Sequence, residues 1–498
     1  MEKKSNKNAV SRRAFLGTTA AAAAGFTIVP SHVVAGMGHK APSDKLNIVG
    51  VGVGGMGFAN LKNMESENIV GLCDVDWGYT GGNGVFDRYP KAKKYKDWRK
   101  MYDEMGDQFD AVVIATADHT HAITAAHAIT MGKHVYVQKP LTHSVYESRL
   151  LTKLAKKYKV ATSMGNQGSS GEGVNLTTEW IANGEIGEIK KVESFTDRPI
   201  WPQGLNTPEQ GMWVPSDLDW DLFTGPANMR PYHEIYHPWN WRGWWDYGTG
   251  ALGDMACHIL HPVFVGLELG YPIHAQGNST LLLQDCAPTA QSVKLTFPER
   301  KAGKNWKINH PEVDIYWYDG GIKPMLPKGW PDGKNPNDSG GGVIFHGEKD
   351  TLIAGCYGVN PWLLSGRKPN APQFRRRVET SHEMDWVRAC KESPENRVPT
   401  ASDFSEAGPF NEMVVMGVLA VRLQSLNKEL DWDGEKMEFT NLNYNEEIRT
   451  VIRDGFEIKD GHPTFRKTWT DPVSAPEFAA ELVKHTYREP WSLPGMPA

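Results

Sequence analysis

The stretch "ALGDMACHILH", Ala251 to His261, sets one carboxylate and two imidazoles into a small, apolar run. Asp254 and His258 are four residues apart, and His261 follows three later. On a helix these offsets bring all three side chains near one face. Three chemistries fit. A carboxylate and imidazoles at helical spacing can ligate zinc, with "HEIYH" (His233 to His237) as a further source of ligands. An imidazole whose pKa lies near neutrality can take a proton while a carboxylate one turn away orients it. The third reading is polar decoration on a core helix.

A second candidate is Lys139 in "HVYVQKP", at the carboxyl end of an apolar run read as a strand. Open parallel sheets bind ligands at such ends. A lysine there can hold a substrate hydroxyl and stabilise charge as a hydride leaves its carbon.

These residues need a scaffold, and the first third of the chain reads as one. "KLNIVGVGVGGMGFANLKNM" is a buried strand running into Gly52, Gly54, Gly55, Met56 and Gly57 and then a helix. Asp74 closes the next strand, 22 residues beyond Gly52. That context is the dinucleotide fingerprint: glycines admit the pyrophosphate, the helix N-terminus faces its charge, and the acid accepts from ribose hydroxyls. A carboxylate at Asp74 repels a 2′-phosphate, which favours NAD over NADP. Further apolar runs alternate with helices, predicting a doubly wound parallel sheet over residues 44–165.

The texture changes beyond residue 166. "KKVESFTD", "SVKLTFP", "VDIYWYD" and the hairpin "GVIFHGEKDTLIAGCYG" read as strands of a large, mostly antiparallel, open-faced sheet. The segment 166–498 is thus expected to be an α+β substrate-binding and oligomerisation domain. It carries a Pro- and Gly-rich surface excursion near 320–342 and an amphipathic helix near 410–426.

The fold class is therefore α/β, a Rossmann domain followed by an α+β domain. "YHEIYHPWNWRGWWDYG" concentrates tryptophan, tyrosine and Arg242 ahead of the opening helix. Arg242, Trp244 and Tyr247 are its candidates for a sugar cleft, because aromatic faces stack on the C–H faces of pyranose rings. The same residues could equally bury area in a core.

"ATADHTHAITAAHAITMGKHVYVQKPLTHS" resembles the Gfo/Idh/MocA oxidoreductases, the family of glucose–fructose oxidoreductase and inositol dehydrogenase. Thr116, Asp118, His121, Lys139 and Pro140 fall on its motif positions; Ala117 replaces the usual Pro and Gln138 the usual Glu. "MGNQGSS" resembles a segment on the nicotinamide side, which brings Asn166 and Gln167 to the cofactor along with Thr116, His121, Gln138 and Lys139. The resemblance implies catalysis by Lys139, Asp254 and His258, with the last two on the family's Asp-x-x-x-His pair. The position of His261 is often acidic in the family, so this departure keeps the zinc alternative open.

The ends and composition set limits. "SRRAFLG" (Ser11 to Gly17), an alanine-rich run and "VVA" (Val33 to Ala35) resemble a twin-arginine signal over residues 1–35. Five dispersed cysteines give no disulfide framework. A net charge of −5 without a basic stripe argues against nucleic-acid binding. No other segment reads as membrane-spanning, and an open sheet face suggests a homo-oligomer.

The expected activity is that of an exported NAD-dependent oxidoreductase acting on a sugar or glycoside hydroxyl, as in a glycoside 3-dehydrogenase. A redox-neutral NAD-dependent glycosidase working by oxidation, elimination and reduction is the alternative. A zinc-dependent hydrolase or lyase built on Asp254, His258 and His261 is the rival from another class.

Overall fold

Strands buried on both faces need helices above and below, and the early apolar runs obtain them by alternating with helices. In the computed structural model, which describes residues 44–497, these are β1 (Asn47–Val51), α1 (Met56–Asn63), β2 (Asn68–Cys73), β3 (Lys93–Tyr95), β4 (Ala111–Ile114), α2 (His121–Thr130), β5 (His134–Gln138), α3 (Val145–Tyr158) and β6 (Thr162–Gly165). The expected export signal lies outside the described residues.

The six strands are parallel in the order β3-β2-β1-β4-β5-β6. This is the doubly wound Rossmann order, with its crevice where the winding reverses between β1 and β4. All four residues of β4 and four of five in β5 are buried. α3 starts at a capping box between Ser144 and Glu147, satisfying amides that a helix start otherwise leaves bare.

The second sheet is built from β7 (Ile189–Thr196), β8 (His274–Ser279), β9 (Gln291–Phe297), β10 (Val313–Tyr318), β11 (Gly341–Gly347), β12 (Thr351–Gly355), β13 (Trp362–Leu363), β14 (Leu430–Asp433) and β15 (Glu438–Phe439). Its order is β13-β12-β11-β7-β10-β9-β8-β14-β15, and only the β7–β10 pair is parallel. β10 shows why one face is covered: Val313, Ile315 and Trp317 are buried, while Asp314, Tyr316 and Tyr318 alternate outward.

Three helices complete the site's support: α4 (Gly250–Ile259), α5 (His382–Cys390) and α6 (Phe404–Arg422). Leu252 and Leu260 at α4 and Met413 and Val414 on α6 meet Val293, Leu295, Ile315 and Trp317 of the sheet's inner face. α6 lies close because β8 carries Gly277, where a Cβ would stand 2.5 Å from the Ala420 backbone. The outer face holds half-exposed ion pairs, Lys294 with Asp314 and Glu429 among them.

The expected excursion near 320–342 contains no helix or strand up to β11. It does more than cross the surface. Trp330 packs edge-on against Trp362, 5.3 Å between centroids, and helps cover Phe195, Ile344 and Ile353. Both sheets belong to one compact unit from Asn47 onward. The five cysteines are buried and unpaired. Among the described residues no helix is long and apolar enough to cross a membrane.

Candidate active site

The turn between β1 and α1 is shaped by what glycine omits. Gly52 has φ +76°, and a Cβ there would stand 2.6 Å from the Ala115 backbone. A Cβ on Gly57 would stand 2.1 Å from the Gly52 carbonyl oxygen, so the helix start can close on the strand end only without one. No side chain caps α1 at Gly55. Its first amides are left for an anion. Asp74 braces the turn, its Oδ2 accepting from the amides of Val53 and Gly54 at 2.8 and 3.0 Å.

From this turn a cleft of about 420 Å³ runs along the carboxyl ends of the strands. Gly52, Gly54, Gly55, Met56, Asp74, Thr116, Gln138, Lys139, Gln167, Arg242, Asp254 and His258 all line it. The fingerprint and the three candidate catalytic residues therefore share one space.

Lys139 Nζ donates to Asp254 Oδ1 at 2.8 Å and to the Asp254 carbonyl at 3.1 Å. Arg242 Nε reaches the same carboxylate oxygen at 3.3 Å. The Lys139–Asp254 pair is 15% and 14% exposed at its side chains. Burial alone would raise the Asp254 carboxyl, but the Lys139 ammonium and the Arg242 guanidinium together hold it down at about 2. His258 is pushed well below the ordinary histidine range, first by burial and then by the Lys139 charge. It is thus a neutral base at neutral pH. Its Nδ1 bonds Asn166 Oδ1 at 2.9 Å, and its Nε2 has no partner among the described residues.

Two family models match this chain. Residues 45–166 fit the oxidoreductase family's NAD-binding Rossmann fold, and residues 186–300 its C-terminal alpha/beta domain. The chain belongs to the Gfo/Idh/MocA oxidoreductase family. A protein of Akkermansia muciniphila named glycosyl hydrolase family 109 protein 2 is 28% identical over 36% of this chain and 40% of its own length. Levoglucosan dehydrogenase of Pseudarthrobacter phenanthrenivorans is 27% identical over 35% of this chain and 36% of its own. The chain thus spans about two fifths of the curated relatives it matches. The WlbA dehydrogenase of Chromobacterium violaceum, solved with NADH and UDP-GlcNAcA, superposes with a TM-score of 0.53 at 16% identity, covering 82% of this chain and 99% of that one. That likeness concerns the fold.

Within this family member, several expected contacts fall elsewhere. Trp244 and Tyr247 are fully buried, 0% exposed, inside an aromatic core with Tyr236 and Trp220. The Trp244 indole donates to the Ile235 carbonyl and not toward a ligand. The cleft is faced by Trp239 and Trp241. Arg242 stacks on both of them, its guanidinium carbon 3.9 and 4.3 Å from their ring centres. His121 is buried away from the cleft, its ring nitrogens 2.8 and 3.1 Å from the Pro140 and Thr116 carbonyls. It ties two strand ends together and acts on the cofactor side only through them. Asn166 is likewise buried behind His258.

His261 turns from Asp254 and His258 and pairs its Nε2 with Glu406 Oε1 of α6 at 2.9 Å. The ligand set of the zinc alternative is therefore not assembled. Among the described residues no group of three or more His, Cys, Asp or Glu side chains is placed to hold a metal ion. Of "HEIYH", His237 pairs with Asp76, which caps the helix after β2.

Tyr357 and Arg198 also line the cleft and were not singled out in the sequence. Tyr357 holds a left-handed φ of 63° and sets its ring 4.4 Å from that of His258. Gly168 makes room for it, since a Cβ there would meet Tyr357 Cα at 2.9 Å. The only signal in the sequence was a tyrosine between glycines in "GCYG".

Asp118, on the motif position beside Ala117, accepts from the Thr249 amide at 3.1 Å and hydroxyl at 2.8 Å at the start of α4. Burial pushes its carboxyl up to about 7 against the pull of those bonds. A carboxyl raised on folding contributes stability that is full below its unfolded value and lost as pH rises through the folded one. Asp118→Asn keeps an acceptor for Thr249 and removes the ionisation. Its melting temperature should gain on the parent between pH 4 and 7, worth roughly 2–4 kcal/mol across that window. A gap that scanning calorimetry finds independent of pH would refute this account.

Proposed function

We propose that the protein is an NAD-dependent oxidoreductase that oxidises a ring hydroxyl of a sugar or glycoside, as a glycoside 3-dehydrogenase does. The observation that carries this reading is the convergence of Lys139, Asp254 and neutral His258 in the cleft that begins at the glycine turn. The residues fit the nucleotide: Gly52 and Gly57 leave a cradle that a Cβ would fill, and α1 presents uncapped amides. When bound, NAD supplies the acceptor for hydride from the carbinol carbon.

The chain's own groups do the rest. Lys139 holds the reacting oxygen, and Asp254 fixes the ammonium in place. His258 Nε2 takes the hydroxyl proton. Negative charge growing on that oxygen meets a cation in a largely water-excluded cleft, where such stabilisation is largest. Arg242 on its tryptophan shelf borders the sugar face of the site.

The Arg12–Arg13 motif supports export by the twin-arginine route. An exported enzyme cannot draw on a cytoplasmic nucleotide pool, so the NAD is loaded before export, tightly held and regenerated in the cycle by coupled reduction of a second sugar. The half-polar outer face of the second sheet supports self-association. Denaturing protein purified from the periplasm should release near-stoichiometric NAD, and glycosides screened against it should yield keto products. Protein that carries none and binds NAD only weakly would remove the reading.

A redox-neutral glycosidase is the second reading, favoured by the relative named as a glycosyl hydrolase. Oxidation at C3 acidifies the C2 hydrogen, the glycosidic bond is eliminated with departure of the aglycone, water adds at C1 across the resulting double bond, and the ketone is reduced again. Free monosaccharide without net redox change marks this course, and an accumulating keto-sugar marks the first.

A further inference from the structure

We propose that Asn166 is a positioning residue that fixes the tautomer of His258, holding its ring proton on Nδ1 so that Nε2 offers a lone pair to the substrate hydroxyl. The inference rests on the reading of His258 as proton acceptor.

The argument starts from what a carbonyl can do. Asn166 Nδ2 lies 2.8 Å from the Cys257 carbonyl oxygen. A carbonyl only accepts, so the NH₂ end of the amide must face it. The opposite end, Oδ1, therefore faces His258 Nδ1 at 2.9 Å. An amide oxygen also only accepts, so Nδ1 must carry the hydrogen. A neutral imidazole has one N–H, which leaves Nε2 bare on the cleft side.

Rotating the amide by half a turn would set two carbonyl oxygens against each other. Asn166 is fully buried, out of reach of the bulk solvent that would relieve that contact. Its backbone is pinned as well, with its N–H on the Met164 carbonyl at 2.7 Å and its own carbonyl accepting from Ser169 Oγ at 2.7 Å. The helix backbone at Cys257 thus sets the amide, and the amide sets the ring.

During turnover the substrate O–H bond breaks and its proton passes to Nε2, while the hydride goes to NAD. The ring becomes an imidazolium, and its Nδ1–H bond to Asn166 becomes charge-assisted and stronger. Asn166 thus favours the charged product of the proton transfer over the resting ring.

The charged and titratable groups around His258 are Asp254 on its own helix, Lys139 at the end of β5, His261 beyond α4 and Tyr357 after β12. None of them reaches Nδ1 with a hydrogen bond.

The test uses the full protein with ¹⁵N-labelled histidine ring nitrogens. The wild-type His258 ring should show a protonated Nδ1 and an unprotonated Nε2 at neutral pH, assigned by comparison with His258→Gln. Asn166→Leu should lose kcat by roughly 10²-fold, the lower range for misplaced general bases, while NAD affinity stays within about twofold. Asn166→Asp still accepts from Nδ1 and adds a negative charge beside the ring. It should keep more activity than Asn166→Leu and move the acidic limb of kcat upward.

A wild-type ring protonated on Nε2 would overturn the proposal, and so would an Asn166→Leu variant with unchanged kcat. Loss confined to NAD affinity would also overturn it, returning Asn166 to a cofactor contact. If the variants fail to fold, the wild-type ring spectrum decides alone. A His258→Gln variant with full activity, beside the expected wild-type tautomer, would defeat the proton-acceptor reading and leave the tautomer assignment standing.

Discussion

Lys139→Ala should lower kcat/KM by roughly 10³-fold while NAD remains bound. The lysine touches no part of the glycine turn; its ammonium is spent on Asp254 and the space beside His258. Removing it deletes the cation next to the reacting oxygen, in a site whose low exposure magnifies each charge. Two secondary effects have a definite sign. Asp254 keeps Arg242 at 3.3 Å but loses its nearer partner, so its carboxyl moves up from about 2. His258 loses the charge that, after burial, does most to depress it, so its basicity rises. The variant's pH–rate profile should thus shift upward even as its height collapses. Turnover within about threefold of wild type, with nucleotide in place, would mean that Lys139 only props up Asp254.

His258→Gln is the second large effect. Glutamine keeps a polar group near the same place but cannot take a proton at working pH, so kcat should fall by about 10²–10⁴-fold. The parent enzyme carries the matching pH signature. Because His258 sits below its ordinary value, it remains an unprotonated base well under pH 6.5. The wild-type kcat/KM should therefore stay level from pH 8 to below 6 and bend only in more acidic buffer. A bend near 6.5 would show that the base is some other, solvated imidazole.

How much of this was written locally in the chain can be judged residue by residue. The Rossmann half was, because strands buried on both faces leave unbroken apolar runs and the glycine turn has a fixed spacing. The second sheet was too, since β9 and β10 alternate with period two. Asp254, His258 and Lys139 were nameable, but their meeting was legible only through the family resemblance, because the chain separates Lys139 from Asp254 by 115 residues.

His261 sits in the same helical register as the pair, and local geometry could not say that Glu406 lies within reach 145 residues later. In "WNWRGWW" four of the seven residues are tryptophan, and composition cannot tell which indole faces ligand. Arg242 separates them, by stacking on Trp239 and Trp241 while Trp244 finds Ile235. Asn166 reads locally as a cofactor contact, and the partners that bury it, Cys257 and His258, belong to a helix some 90 residues away.

The way α4 is fastened has a kinetic consequence. The segment leading into it is bonded to the nucleotide half at three points: Asp118 to Thr249, His143 to the Gly248 carbonyl at 3.1 Å, and the His119 amide to the Tyr247 carbonyl at 3.3 Å. Lys139 adds a fourth bond from the active-site side. Opening the two halves like a book would strand all of these buried groups together, each at the cost of an unmet hydrogen bond. The nucleotide must then leave by threading out past the cleft mouth. Its residence time should exceed many turnovers, and in the proposed cycle the dinucleotide would then behave as a prosthetic group, reoxidised in place by a second, carbonyl-bearing sugar that takes its hydride.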